Sequence, residues 1–169
     1  MLFHIFSHAC HHRYDQPKIG EIIKTSDEFN PYFRTIENSA TKPCDDVSQG
    51  DVEFHYVKML REYVFENVRY SLHPHLPSRF RCLWFAKSLE DAQYWLSRIP
   101  HPGEKVILEV VPQDGAMLFE ANEEYLTNNF ENPALIKLRA HAYWSGALTE
   151  TGRIEILGEG AFKVVGVHT

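Results

Sequence analysis

The sequence predicts one α+β domain over residues 1–169, and three observations carry that expectation. Short apolar runs with strand character lie at both ends of the chain and in its middle. Between them, apolar residues recur at three- and four-residue spacing, the mark of amphipathic helices. Their order is irregular, with turn-linked strands instead of strict strand–helix alternation, which argues against a doubly wound sheet. A chain of 169 residues buries about 70% of the surface exposed when unfolded, so it needs no disulfide or metal staple.

The opening Met1-Leu2-Phe3-His4-Ile5-Phe6 lacks a basic leader and a small-residue cleavage site, and residues 2–6 read as a buried strand. Residues 18–24 predict a short second strand. Residues 25–50 are polar and aperiodic, and read as a long loop of the functional or mobile kind. Asp51 predicts a helix start by capping free N–H groups. Val57, Leu60, Val64 and Val68 then form an apolar stripe, with Lys58, Arg61, Glu62 and Glu66 off it. His73-Pro74 ends this helix.

Phe80 to Ala86 predict a buried strand, and Ser88 with Asp91 three residues on predicts a capped helix. Its apolar face is Leu89, Ala92 and Trp95/Leu96. Pro100-His101-Pro102-Gly103 turns the chain into a strand at 105–111; a second turn leads to a strand at 117–120. Asn132-Pro133 opens a helix to about Tyr143, with Asn as cap and Pro at the first helical position. Residues 154–157 and 161–167, joined by Gly158-Glu159-Gly160, predict a terminal hairpin.

The net charge of −6 argues against broad binding to a phosphate backbone, which needs clustered Lys and Arg. No apolar run approaches the roughly 20 residues that span a bilayer, so no membrane role is expected. Cys10, Cys44 and Cys82 form an odd set without paired spacing, which suits a reducing cytosol, either the cell's own or that of a host after delivery. No glycine-rich phosphate loop occurs. The cluster His8-Ala9-Cys10-His11-His12 carries zinc-type ligands without a workable four-ligand spacing, so no metal is expected. A metal-dependent hydrolase on that cluster is the weakest of the functional readings. Cys82, inside an apolar strand, reads as an inert buried thiol.

Three features remain: His4 interrupting an apolar strand, Pro77-Ser78-Arg79 leading into the next strand, and Glu155 isolated between Ile154 and Ile156. A lone strand carboxylate commonly faces solvent, as period-two alternation allows. Taken in order, however, these features resemble the ADP-ribosyltransferase superfamily. Residues 154–165 are similar to its glutamate strand, Phe3-His4-Ile5 to its first motif strand in the subset that uses His, and residues 79–95 to its middle motif. A closer resemblance is to a small bacterial and phage domain family of unknown function. It is carried by Pro77-Ser78-Arg79, Cys82-Leu83-Trp84-Phe85, Glu90 to Trp95, Tyr143-Trp144 and Glu155 to Gly160. It covers about residues 51–167.

That resemblance implies two split, mixed or antiparallel sheets flanked by helices, with NAD bound as substrate in a cleft between the sheets. It implies Glu155 as the catalytic carboxylate and His4, Ser78, Arg79, Tyr94, Tyr143 and Trp144 as NAD-binding residues. His4 would hold the adenosine ribose or pyrophosphate side, Arg79 a phosphate, and the aromatics would stack on nicotinamide or adenine. Arg79 reads equally as a structural ion pair and Trp144 as a core residue. ADP-ribose would pass to an unknown protein or nucleic-acid acceptor. The Ser-x-Ser step of arginine-modifying enzymes is missing, and Arg153 stands where they keep a second acid, which disfavours arginine as acceptor. The alternative is an inactive binding module on the same scaffold.

Overall fold

A computed structural model describes residues 1–8, 15–39, 48–99 and 103–168. It is an α+β fold whose strands all pair antiparallel. Strands β1 (Leu2–His8), β4 (Glu104–Pro112), β7 (Ala161–His168) and β2 (Ile22–Lys24) form one sheet in the order β1-β4-β7-β2. Strands β3 (Leu83–Phe85), β6 (Ile154–Glu159) and β5 (Met117–Asn122) form a second, ordered β3-β6-β5. The helices are α1 (Pro31–Ser39), α2 (Gln49–Leu72), α3 (Leu89–Arg98) and α4 (Pro133–Trp144). No helix is long and apolar enough to cross a membrane among the described residues.

The side-chain period of two sorts these elements into layers. Leu2, Leu108, Val110, Phe162 and Val164 of the first sheet meet Phe85 and Ile156 of the second in a core between the sheets. The opposite face of the second sheet, through Leu157 and Ala121, packs on Phe65 and Val68 of α2 and on Ile136, Ala140, Tyr143 and Trp144 of α4. Phe3, Ile5 and Ile107 pack outward against Ala92, Trp95 and Leu96 of α3. The order through the molecule is therefore helix, sheet, sheet, helices. Along β6, Ile156 points to the other sheet, whereas Glu155, Leu157 and Glu159 point to the α2/α4 layer.

The terminal strands differ from the predicted hairpin. β6 pairs with β3 and β5, and β7 pairs with β4 and β2, so Gly160 carries the chain from one sheet into the other. The β4–β5 connection makes the same crossing beside it, with Pro112 opposite Phe162 and Met117 opposite Glu159. The result is one long antiparallel ribbon bent at a corner. Four residues on one arm, 113–116, face two on the other, Gly160 and Ala161, and unequal arms of this kind bend a ribbon as a bulge does. Gly160 sits at φ +116°, and a Cβ there would meet Ala116 Cα at 2.8 Å. A hairpin turn and an inter-sheet corner use the same glycine signal, so the sequence does not separate them.

Three further expectations are corrected. Residues 25–50 are not a continuous loop, because α1 lies within them; residues 40–47 fall outside the described set. Asn30 Oδ1 accepts from Phe33 N at 2.9 Å and Pro31 takes the first helical position. This is the signal that also opens α4 at Asn132-Pro133. The cap of α2 is Ser48, whose hydroxyl accepts from Asp51 N, and Asp51 instead lies in the first turn. β3 is shorter than 80–86 because Ser78 to Cys82 form a turn: both Arg81 N and Cys82 N donate to Ser78 O. The Ser88 cap of α3 is as predicted. Of the 100–103 turn, only Gly103 is described.

Gly160→Ala tests the corner. Backbone strain at a non-glycine residue in that region, plus the clash with Ala116, should cost about 1–3 kcal/mol in urea unfolding. Gly20→Ala, also at positive φ but with open space around its Cβ, should cost less; equal losses would show that the corner is not tightly packed.

Candidate functional site

The inner face of α2 departs from the apolar stripe. Leu60 is exposed, while Arg61 and Glu62 are buried alongside Phe65, Val68 and Arg69. A buried charge is tolerated only when paired and hydrogen-bonded, and these are. Glu62 Oε1 accepts from Arg61 Nη2 at 2.7 Å and from Arg61 Nε at 3.2 Å. Arg79, from the turn before β3, grips the same carboxylate as a fork, Nε to Oε2 at 2.8 Å and Nη2 to Oε1 at 3.3 Å. Its remaining arm, Nη1, donates to Glu155 Oε1 at 2.5 Å and to Tyr143 Oη at 2.6 Å. The Tyr143 hydroxyl donates in turn to Glu155 Oε1 at 2.5 Å.

Four elements thus converge on one guanidinium: α2 through Glu62, the 78–82 turn through Arg79, α4 through Tyr143 and β6 through Glu155. The turn is fixed from below by Asn30 Nδ2, which donates to Arg79 O and Cys82 O. Arg61 ties in the rest, donating to Tyr32 Oη at 3.3 Å, Thr127 O at 3.1 Å and Asn128 Oδ1 at 2.6 Å. A parallel set stands one turn along α2. Glu66 Oε1 accepts from Arg69 and from Ser78 Oγ, while Ser78 N donates to Glu159 Oε1 at 2.6 Å.

The charges respond to this packing. Burial alone would raise the pKa of Glu62, but Arg79 and Arg61 outweigh it by charge and hydrogen bond, and the net shift is downward. Burial drives the Tyr143 phenol well above its usual value and Arg79 opposes this only in part, so Tyr143 remains a proton donor. Burial likewise raises the Cys82 thiol, which keeps it protonated and a poor nucleophile.

Of the predicted residues, Arg79, Tyr143 and Glu155 meet directly, and Ser78 lies in the same turn. Glu155 is 12% exposed, and its Oε2 accepts no hydrogen bond from the described residues. His4 stands one strand away. Its Nδ1 lies 2.9 Å from Trp84 O, and because a carbonyl only accepts, Nδ1 carries the proton and Nε2 is left as an acceptor. Desolvation lowers the His4 pKa despite that hydrogen bond, which favours the neutral ring. Phe3 and Ala86 exchange backbone hydrogen bonds, joining β1 to the edge of β3. Trp84 projects to the helix side, where its ring lies 5.9 Å from Arg79 Cζ and 5.6 Å from the Tyr32 ring.

Tyr94 and Trp144 lie apart from this group. Tyr94 is on α3, its ring 3.9 Å below Arg153 Cζ, and Arg153 pairs with Asp91. Trp144 is core: its Nε1 donates to Phe65 O at 2.7 Å and its ring stacks on Phe119. Arg79 has nearly all its N–H groups engaged within the protein. The space between the sheets is filled around Phe85, Phe162 and Ile156, and Glu155 opens to the helix side. Sequence reasoning missed Arg61, Glu62 and Tyr32. The adjacent Arg61-Glu62 within a helix gives no sign of burial, since such pairs are ordinary on exposed faces. Of the His8–His12 cluster, residues 9–12 lie outside the described set, as does Cys44; among the described residues no group of three or more His, Cys, Asp or Glu could hold a metal.

Glu62→Gln should destabilise the protein by about 3–5 kcal/mol, because the two buried guanidiniums of Arg61 and Arg79 then share only the carboxylate of Glu155. The sign of its pH dependence follows from the lowered folded pKa. Glu62 contributes stability above its unfolded pKa, near 4.5, and loses it as pH falls through the lower folded value. Urea midpoints from neutral to acid pH should fall less steeply for the variant than for wild type. Parallel curves would show that Glu62 does not carry this charge coupling.

A family model described as Protein of unknown function (DUF2441) matches residues 7–168. No curated protein matches the chain. With nearly its whole length under that model, the chain belongs to the DUF2441 family.

Proposed function

We propose that this protein is an ADP-ribosyltransferase-like domain that processes NAD, with Glu155 as the carboxylate beside the breaking nicotinamide–ribose bond. What supports the reading most is how Glu155 is held. Oε1 is fixed by Arg79 and Tyr143, while Oε2 stays open. In the reaction the C–N bond breaks, its electron pair leaves with nicotinamide, and the ribose becomes oxocarbenium-like until a nucleophile closes on C1′. A carboxylate already oriented toward that developing charge commonly contributes about a hundred- to thousandfold in rate.

The nucleophile is proposed to be a group on a protein or nucleic acid, or water. His4 shares the inter-sheet face of β1 with Leu2 and Phe6, its ring 5.6 Å from that of Phe85, so its Nε2 would accept from a ribose hydroxyl only around the edge where Phe3 meets Ala86. With the inter-sheet space filled, the ligand would cross the helix-facing side of β3 and β6, beside Trp84 and Tyr32. Tyr94 and Trp144, in the places described above, have no role in this version of the site. One observation favours a second reading, an inactive binding module: Arg61, Glu62, Arg79 and Glu155 balance in charge, so Glu155 presents no uncompensated negative field.

Incubating purified protein with NAD and measuring released nicotinamide separates the two readings. Glu155→Gln should lower release at least about a hundredfold and leave the NAD-induced thermal shift in place, since the charge acts mainly on the transition state. His4→Ala should weaken the thermal shift itself. If wild type gives neither release nor shift, the enzyme reading is wrong and the binding-module reading replaces it.

A further inference from the structure

α2 carries a second pattern, on the side away from the core. Glu53, Tyr56, Leu60, Tyr63, Asn67 and Tyr70 follow one another at alternating steps of three and four. That 3.5-residue repeat keeps one seam facing a partner helix along its whole length. The seam is open at Tyr56, 53% exposed, Leu60, 40%, and Tyr70, 73%, while Tyr63, 46% exposed, turns part of its ring to Phe33 and Phe80 of its own chain. Glu53 and Asn67 are exposed as well. Solvated helix faces rarely place three tyrosines and a leucine in register without a partner to cover them.

We propose that two copies of this chain associate through this face, with their α2 helices antiparallel. Antiparallel seams match first positions of the repeat with fourth positions. Centring the two-fold axis between Arg61 and Glu62 therefore sets Leu60 of one copy against Tyr63 of the other, Tyr56 against Asn67, and Glu53 against Tyr70. The outer polar groups then meet complements, the Tyr70 hydroxyl donating to the Glu53 carboxylate and the Asn67 amide meeting the Tyr56 hydroxyl, while the Tyr63 hydroxyl keeps its bond to Glu37 of its own chain. A parallel pair would set Glu53 against Glu53, so charge selects the antiparallel form.

A receptor for the partner is also present. A groove of about 310 Å³ runs between α2 and α4, lined by Tyr63, Val64, Asn67, Val68, Pro133 and Lys137. In the antiparallel register Tyr56 of the second copy stands over Asn67 and enters this groove as a knob enters a hole. The paired segment, Glu53 to Tyr70, is about 26 Å long by helix rise. Symmetry places two such knobs and two grooves in one contact, the self-complementary form of most soluble dimers.

Sedimentation velocity of the full chain at micromolar concentration should give a mass near twice the 19.7 kDa of one chain. Leu60→Arg, at an exposed position, should raise the dissociation constant on the order of a hundredfold, the effect of losing a central anchor. Tyr56→Ala serves as a gentler second variant should Leu60→Arg fail to fold by circular dichroism. Mild oxidation of the Tyr56→Cys/Asn67→Cys double variant, followed by peptide mapping, should yield a 56–67 link between chains. A monomer throughout the micromolar range overturns the proposal. So does a dimer indifferent to both single variants, or a 56–56 link, which marks a parallel pair.

Discussion

The rest of this structure depends on one buried guanidinium. Arg79 holds Glu62 with one edge and Glu155 with the other, and so joins a helix to a strand across the layer that encloses the site. Ion pairs taken out of water yield little net stability against an apolar replacement, yet removing one partner is costly. Such a cluster therefore acts mainly as a constraint on geometry. Here it constrains the carboxylate of Glu155, which would otherwise rotate freely in a strand side chain.

The layering explains why the constraint has to come from α2. Glu155 lies on the side of β6 that meets the helices, so its neighbours are contributed by α2, α4 and the 78–82 turn. Leu157, two residues along, occupies the apolar core of the same layer. The alternation that buries Ile156 between the sheets therefore presents Glu155 to the cluster. A register slip of one residue would exchange the two and place a charge in the apolar space between the sheets. The bent ribbon protects that register, because its arms pair on both sides of the Gly160 corner.

Local signals in the sequence read well. Ser88 with Asp91, Asn132 with Pro133, and the β-rich run of β4 each state their structure within a few residues. The Asn30-Pro31 start of α1 carries the same signal as α4, but the polar sequence around it hides the helix. Non-local features were harder to read. The β6–β7 pair looks like a hairpin because pairing partners are chosen by the whole sheet and not by the turn. The cluster around Arg79 was legible in part: Arg79, Tyr143 and Glu155, which meet in it, stood out by order and type. Glu62 and Arg61 did not, because their burial depends on Arg79 arriving from the far side of a turn.

Glu62 and Glu155 act as one unit through Arg79. A double-mutant cycle on stability, using Glu62→Gln, Glu155→Gln and the pair, measures this directly. Residues that share a partner couple by about 0.5–3 kcal/mol, whereas independent sites add to within about 0.5 kcal/mol. Strong non-additivity, lost when Arg79 is also replaced by Leu, is the predicted result; additive losses would contradict the account.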